Sequence, residues 1–320
     1  MKRLLVYFVC LMAFLSYSEN GYCQTGVDYY VQGLEYHKAK DYNNAAKCFA
    51  YSADRAYPGG LFYLGFYFYK GISFPQDYDR AFTLFKAAAE RGNEQAKCYL
   101  GLCYELGKGV AKDMTKAVAL YRQAADVDYT LAIELLGECY FYGNGVTKDH
   151  KEAVRLFKQA AIDGNTEAQY LLGLCCKNGY GVTINYKDAV IWSRMAADKG
   201  HLYAQYILGE CYYNGEGIEK DYLEAVKWYR KSAEQGYSTA QQSLGDCYWF
   251  GSGVEQDYAE AVKWYRKSAE QGDELAQYKL GSCYMSGIGV AQDKTEAVKW
   301  LRKAAEQGNE GAKEKLKSLE

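Results

Sequence analysis

This chain of 320 residues repeats a glycine every 36 positions without a slip. A fixed period of this length is typical of repeat proteins, in which each unit buries its apolar face only by stacking on its neighbours. Both prolines, Pro58 and Pro75, come early, so the later sequence allows uninterrupted helices. We therefore expect an all-α array whose function depends on its surfaces. The seven glycines are Gly65, Gly101, Gly137, Gly173, Gly209, Gly245 and Gly281.

Each repeat contains two segments with helical periodicity. In the second copy, Ala96, Leu100, Cys103 and Tyr104 are spaced i, i+4, i+7 and i+8, which places them on one face of a helix. The segment from 117 to 125 has the same kind of spacing. Each repeat is therefore predicted to be a helical hairpin.

Glycines and aspartates mark the helix ends. Gly107 stands where a helix would end in a left-handed residue, which glycine adopts without a Cβ penalty. Aspartates follow at the start of the second helix, with a glutamate three residues later, which predicts capping boxes. The periodic glycine lies inside the first helix, where it costs about 0.5–1 kcal/mol relative to alanine, so we expect close helix packing there. The pairs are Asp149 and Glu152, Asp221 and Glu224, Asp257 and Glu260, and Asp293 and Glu296.

The segment from Ala204 to Gly236 carries the full repeat pattern, A-x-x-x-L-G-x-x-Y-x-x-G-x-G-V-x-x-D-x-x-x-A-x-x-W-Y-x-x-A-A-x-x-G, apart from Ile218 and Ser232. In this pattern the chain resembles the Sel1-like repeat family, the longer-looped relative of the tetratricopeptide repeat. The resemblance implies an all-α fold, a right-handed α/α superhelical solenoid of helical-hairpin repeats. It also implies an adaptor that binds a protein or peptide partner.

The resemblance divides the chain into segments. Residues 57–308 form seven 36-residue repeats, residues 24–56 a divergent N-terminal TPR-like repeat, and residues 309–320 a C-terminal capping helix. Three positions depart from the pattern. Ser73 replaces a loop glycine, Asn185 replaces the capping acid and Cys176 replaces the tyrosine.

The first 23 residues have the pattern of a signal peptide. Lys2 and Arg3 precede an apolar stretch that is too short to span a bilayer. Cleavage could follow Ser18 or Cys23. We therefore expect an exported protein, in a bacterial periplasm or at the cell surface, with no integral membrane span. The formal net charge of −2, without a basic run, argues against nucleic acid as a partner.

The sequence gives little sign of catalysis. Its three histidines, His37, His150 and His201, fall in different repeat phases, and no metalloprotease or serine-hydrolase motif occurs. Most of its 11 cysteines fall in one repeat column, where neighbours about 8–10 Å apart cannot form disulfides and are expected to be buried. We predict no enzyme, metal, cofactor or small-molecule substrate. The alternative, suggested by cysteine-rich relatives, is a cell-envelope enzyme or cell-wall binder of the β-lactamase-like repeat type.

Repeats five and six differ mainly in their first helices. Residues 221–236 and 257–272 match at 15 of 16 positions, but residues 203–220 and 239–256 match at only 9 of 18. The differences include Tyr206 against Gln242, Glu210 against Asp246 and Tyr213 against Trp249, which are spaced i, i+4 and i+7 on one helix face. In TPR-like superhelices the first helices line the concave groove, so we predict a partner-binding face that favours basic or aromatic segments. The predicted residues are Phe62, Phe66, Tyr69, Glu138, Phe141, Tyr170, Lys177, Tyr206, Glu210, Tyr213, Asp246, Trp249, Tyr278 and Met285.

Overall fold

A computed structural model describes residues 24–318 of the chain, and the predicted signal peptide lies outside them. The described residues form seventeen α-helices and no strand, as the sequence predicted. The helices are α1 Gly26–Lys38, α2 Tyr42–Asp54, α3 Pro58–Lys70, α4 Tyr78–Ala89, α5 Glu94–Leu106, α6 Met114–Ala125, α7 Thr130–Tyr142, α8 His150–Ile162, α9 Thr166–Asn178, α10 Tyr186–Asp198, α11 Leu202–Asn214, α12 Tyr222–Glu234, α13 Ser238–Phe250, α14 Tyr258–Glu270, α15 Glu274–Ser286, α16 Lys294–Glu306 and α17 Glu310–Lys317.

The helices pair as hairpins in chain order. Helices α3 and α4 form the first repeat, α15 and α16 the seventh, and each odd-numbered helix between them is the first helix of its repeat. Helices α1 and α2 form a further hairpin before the repeats. Contacts divide the chain into two compact units, one reaching to Ala132 and the other beginning at Ile133. Among the described helices, none has the length and apolar character that a bilayer span requires.

The predicted capping boxes form only in part. The Asp221 carboxylate accepts a hydrogen bond from the Glu224 backbone N–H at 3.0 Å, as expected of an N-cap. However, the Asp221 N–H donates to the Tyr212 carbonyl at 3.0 Å, so it is not free for the Glu224 side chain. Glu224 instead pairs with Lys227 at 2.5 Å. The reciprocal half of the box is therefore replaced by an ion pair one helical turn further on.

The periodic glycines lie where the two helices of a hairpin meet. A Cβ on Gly209 would stand 2.6 Å from Cδ1 of Tyr229, and one on Gly101 would stand 2.5 Å from Cε1 of Tyr121. Both tyrosines are buried. The expected close packing is confirmed, and it joins each first helix to the second helix of its own repeat.

Buried glutamines connect successive repeats. The Gln241 side chain donates to the Ala233 carbonyl at 3.0 Å and accepts from Gln271 at 2.8 Å. Gln205 makes equivalent bonds with Ala197 and Gln235. These bonds satisfy the buried amides and stabilise the register of one hairpin against the next.

The cysteine and tryptophan columns are part of the core. The column cysteines are buried and form no disulfide among the described residues, as the spacing predicted. Trp228, Trp264 and Trp300 on the second helices are buried as well, whereas Trp192 is half-buried. The non-periodic residues of the first helices therefore remain the main candidates for a binding surface. The column cysteines are Cys103, Cys139, Cys175, Cys211, Cys247 and Cys283.

Candidate partner-binding surface

The predicted residues of the first repeat do not form an open surface. Phe62 and Tyr69 are 5% and 6% exposed, and Phe66 is half-buried. Tyr99, from the next first helix, covers all three, with ring centroids 5.4, 6.0 and 5.6 Å from those of Phe62, Tyr69 and Phe66. The sequence predicted exposed aromatics here, and the structure places two of them in the interior.

Phe141 in the third repeat is also buried. Its ring stacks on His150 at a centroid distance of 4.9 Å and lies 5.6 Å from the ring of Tyr180, in the loop between the two helices of the fourth repeat. Glu138, one turn earlier, is half-buried. These two residues therefore contribute little accessible surface to the predicted face.

Two recesses bring together eight of the predicted residues. Recess A lies between α9 and α11 and has a volume of about 260 Å³. Four predicted residues line it, together with five others. Three of those five, Tyr203, Ile207 and Tyr237, come from α11 and the turn before α13. Its lining consists of Tyr170, Leu174, Lys177, Asn178, Tyr203, Tyr206, Ile207, Glu210 and Tyr237.

A compact charge cluster borders recess A, and two of its three charged residues, Lys177 and Glu210, line the recess. The Lys177 ammonium lies between the carboxylates of Glu210 and Glu216, at 3.1 and 3.0 Å. Burial alone would lower the pKa of Lys177, but the two carboxylates outweigh it and the pKa is raised. Tyr206 donates its hydroxyl hydrogen to Glu210 at 3.0 Å, and burial with that carboxylate raises the tyrosine pKa. The cluster holds one more carboxylate than ammonium.

Recess B lies on the first-helix side of the sixth and seventh repeats and has a volume of about 350 Å³. Aromatic and aliphatic side chains dominate its wall, and two lysines and one aspartate supply its charges. Phe250, at its rim, is 67% exposed. The lining residues are Asp246, Trp249, Phe250, Tyr265, Tyr278, Lys279, Ser282, Cys283, Met285, Ser286, Ile288 and Lys315.

Asp246 organises recess B. Lys279 donates to both oxygens of its carboxylate at 2.6 Å, and the hydroxyl of Tyr265 and the amide of Gln242 donate to it at 2.6 and 2.5 Å. Burial and the adjacent Asp246 raise the pKa of Tyr265. Since its acceptor positions are filled from within the chain, Asp246 is poorly placed to bind a basic partner.

Lys315 is the second cation of recess B. Its ammonium donates to the Ser282 hydroxyl at 2.9 Å and lies 5.2 Å from the Tyr278 ring centroid. Within residues 24–318 it forms no ion pair, whereas Lys279 pairs with Asp246. The lining of recess B therefore has an excess of one positive charge.

Two predicted aromatics pack against the second helix of the same repeat. Trp249 packs edge-on against Tyr258 at 4.8 Å and lies 6.2 Å from Tyr265. Tyr213 makes the same contacts with Tyr222 and Tyr229, at 4.9 and 6.2 Å. Trp249 lines recess B, but Tyr213 lines neither recess.

The sequence reasoning missed the lysines of recess B. Lys279 stands two residues before a periodic glycine, and Lys315 is at the equivalent phase after the last repeat. Tyr99, Ile207 and Ser243 occupy the same column. The change of residue type along this column was the sequence signal that could have identified the two lysines. Among residues 24–318, no group of three or more His, Cys, Asp or Glu side chains is arranged to hold a metal ion.

A family comparison agrees with this repeat geometry. The Sel1 repeat profile matches seven consecutive segments of the chain, residues 58–93, 95–129, 130–165, 166–201, 202–237, 238–273 and 275–309. The chain belongs to the Sel1 repeat family. Repeats of this TPR-like family are typical of protein–protein interaction scaffolds and are generally non-catalytic.

Solved structures support the same fold for this Sel1 repeat protein. It is similar to a protective antigen present in uropathogenic Escherichia coli strains, with 33% identity, a TM-score of 0.79, and coverage of 97% of this chain and 67% of that one. It is also similar to a Sel1 repeat protein from Oxalobacter formigenes, with 31% identity, a TM-score of 0.68, and coverage of 92% and 87%. A comparison with curated proteins found no match.

Proposed function

We propose that this Sel1 repeat protein is an exported, non-catalytic scaffold that binds an extended segment of a partner protein along recesses A and B. The observation that carries this proposal is the position of the two recesses. Both lie on first helices of the unit that begins at Ile133, and the residues that break the repeat period form most of their walls. A scaffold changes its specificity at such positions without altering its core.

The chemistry of the walls suits a polypeptide ligand. Tyrosine, tryptophan and methionine offer large contact areas with few rotatable bonds, and paired charges beside them favour an oriented segment over a non-specific apolar one. Tyr203 at recess A and Phe250 at recess B are 42% and 67% exposed, so they are accessible to a partner without any rearrangement.

Site-specific photocrosslinking tests this surface. A photoreactive benzoylphenylalanine at position 250 is expected to capture a defined partner in intact cells. The same group at position 223 is the matched control, because Leu223 is 56% exposed but lies on the second helix of repeat five. Crosslinks of equal yield and identity at both positions would contradict the proposal.

Binding measurements on the captured partner complete the test. Phe250→Ala and Tyr203→Ala are expected to weaken its binding at least about tenfold, since exposed aromatics in a binding site act as anchors. Leu223→Ala should leave the affinity unchanged. Phe250→Ala and Leu223→Ala should retain the wild-type melting temperature within a few degrees, because the truncated side chains are mostly exposed. Tyr203→Ala also loses ring contacts with Tyr170 and Tyr237, so its affinity is measured at a temperature where circular dichroism shows it folded.

Export is the second part of the proposal, and residues 1–23 support it by their signal-peptide pattern. The likeness to a protein described as a protective antigen is consistent with exposure at a bacterial surface. A fusion of residues 1–60 to an alkaline phosphatase that is active only outside the cytoplasm should give activity. Deletion of residues 2–23 should abolish it, and equal activity in both fusions would contradict export.

A further inference from the structure

The two recesses carry opposite charge imbalances. At recess A, Lys177 pairs with Glu210 in the lining and with Glu216, which lies outside the lining, so this three-residue cluster has a net charge of −1. In recess B, Asp246 pairs with Lys279, while within residues 24–318 Lys315 contacts the Ser282 hydroxyl and the Tyr278 ring and forms no ion pair, so the lining has a net charge of +1. Both recesses belong to the same compact unit.

Apolar surface in recess B borders the Lys315 ammonium. The Lys315 ammonium lies beside Tyr278, and the same recess is lined by Trp249, Met285 and Ile288. A carboxylate that binds Lys315 alone gains one ion pair but loses part of its own hydration, so its net gain is small. A carboxylate next to a large apolar side chain binds better, because the recess also buries that side chain. The recess therefore fits an acidic residue next to an aromatic or long aliphatic one.

Recess A has the complementary preference. Glu216 is 27% exposed and Glu210 is 29% exposed, and they share one lysine that is 14% exposed. Both Glu210 oxygens already accept hydrogen bonds, from Tyr206 and Lys177, so a second cation arriving from solvent would meet Glu216, whose Oε1 accepts a 3.5 Å hydrogen bond from the neutral Asn214 amide. The tyrosine rings of Tyr203 and Tyr237 at the same recess can pack on the aliphatic stem of a lysine or the guanidinium plane of an arginine.

The spacing between the recesses fixes the spacing of these groups. Recess A belongs to repeats four and five, and recess B to repeats six and seven, so equivalent positions are two repeats apart. If first helices of adjacent repeats pack about 8–10 Å apart, two repeats span about 20 Å. An extended chain rises about 3.3 Å per residue and covers this span with about six residues.

We infer that the partner segment of this scaffold is an extended peptide of mixed charge, with a basic residue in recess A and, about six residues away, an acidic residue beside a large apolar one in recess B. This inference rests on the proposed function and adds the chemistry and order of the ligand. It also refines the sequence-based expectation of a basic or aromatic segment, because the acid at recess B is already neutralised by Lys279.

A peptide selection provides the probe. Random twelve-residue peptides displayed on phage are selected on the immobilised chain from residue 24 onward, and enriched peptides are synthesised with blocked termini. We expect them to carry one basic residue about six positions from an acidic–aromatic or acidic–aliphatic pair. Two single variants of an enriched peptide are then made, one with the acid changed to its amide and one with the base changed to glutamine.

Double-mutant cycles assign each charge to its recess. Lys315→Gln should weaken the parent peptide about threefold to tenfold and have no effect on the amide variant, and Glu216→Gln should show this coupling only with the basic residue. Lys313→Gln on the same helix and Glu219→Gln in the same loop are matched controls. They should change neither peptide's affinity.

The outcomes separate the two proposals. Failure to enrich any peptide would overturn both the peptide-binding function and the inferred ligand chemistry. Enriched peptides without a charge pattern, or peptides equally sensitive to Lys315→Gln and Lys313→Gln, would overturn only the inferred chemistry. Coupling of the acidic residue to Glu216 and of the basic residue to Lys315 would overturn the inferred order.

Discussion

The contact between adjacent repeats at Gly217 offers a test of how the array is held together. Gly217 and Gly215 lie in one loop with φ angles of 73° and 76°, so both have a left-handed backbone. Their surroundings differ. A Cβ on Gly217 would stand 2.2 Å from the carbonyl oxygen of Tyr186 in the preceding repeat, whereas one on Gly215 would stand 3.3 Å from the Lys220 Cβ.

Alanine at each position separates backbone strain from the inter-repeat contact. A left-handed alanine costs about 1–2 kcal/mol, which both variants incur. Gly217→Ala also forces apart backbone atoms that cannot rotate away, and such overpacking costs about 1–3 kcal/mol more. We therefore expect losses of about 1–2 kcal/mol for Gly215→Ala and about 2–5 kcal/mol for Gly217→Ala. Ser73, with a φ of 60° at the matching position of repeat one, shows that the left-handed backbone tolerates a side chain.

Urea denaturation followed by circular dichroism at 222 nm measures the two losses, with the m-value checked for a change in cooperativity. Amide exchange should show that Gly217→Ala loosens α10 and the loop before α12 first, because stability in repeat arrays includes nearest-neighbour interface terms. Equal losses in the two variants would refute the argument, since they would show that the Tyr186 contact contributes nothing beyond the left-handed backbone.

Three further predictions follow from buried ionisable groups. The nine cysteines of residues 24–318 are buried and form no disulfide there, so a chain beginning at residue 24 should react negligibly with Ellman's reagent at pH 8 and should react at nine thiols in urea. Fast reaction of the folded chain would contradict their burial. Burial raises the pKa of Tyr67 from 10.0 and of Cys247 from 9.0, each to about 12. Because the folded chain keeps these protons to higher pH than the unfolded chain, the melting temperature should be steady below about pH 9 and fall as pH rises toward 12, and a flat profile would contradict it. Asp246→Asn should lower the free energy of unfolding in urea by about 1–3 kcal/mol, because it removes the charge partner of Lys279. Asp257→Asn, which retains a capping oxygen, should cost much less. Equal losses would contradict the organising role of Asp246.

The hairpins could be predicted from the sequence because their determinants are local. Gly209 lies inside a helix whose apolar residues have helical spacing, and Asp221 caps the next one. Helix ends and faces depend on residues within a few positions, and a 36-residue period repeats the same information seven times. The partial failure of the capping boxes had a less local cause, the Tyr212 carbonyl on the other helix of the hairpin.

The exposure of the first-helix residues could not be predicted in the same way. Phe62 and Tyr278 occupy the same repeat column, yet Phe62 is buried and Tyr278 lines a recess. The difference comes from the residue that the following segment places over each of them. Tyr99 covers Phe62, whereas the equivalent residue over Tyr278 is Lys315. The aliphatic part of a lysine is narrow and its ammonium is hydrated, so it covers less of the ring than a tyrosine does.

Neighbouring repeats also meet at a second fixed offset. The residue four positions after the periodic glycine meets the loop residue 39 positions later, and three pairs show different chemistry at this contact: Tyr69 with the Lys108 ammonium, Phe141 with the Tyr180 ring, and Lys177 with the Glu216 carboxylate. Tyr213 has Ser252 at this offset and Trp249 has Ile288, which lines recess B beside it.

The register means that a single substitution in a loop can open or close the face of the preceding repeat. A lysine, tyrosine or glutamate at the contact covers or neutralises its partner, whereas Tyr213 and Trp249, which have Ser252 and Ile288 at this offset, are half-buried. Both members of each pair are present in the sequence, but only the packing of successive hairpins shows which two residues meet. The proposed binding surface is therefore determined by pairs of positions in adjacent repeats, and a column of one repeat alone does not define it.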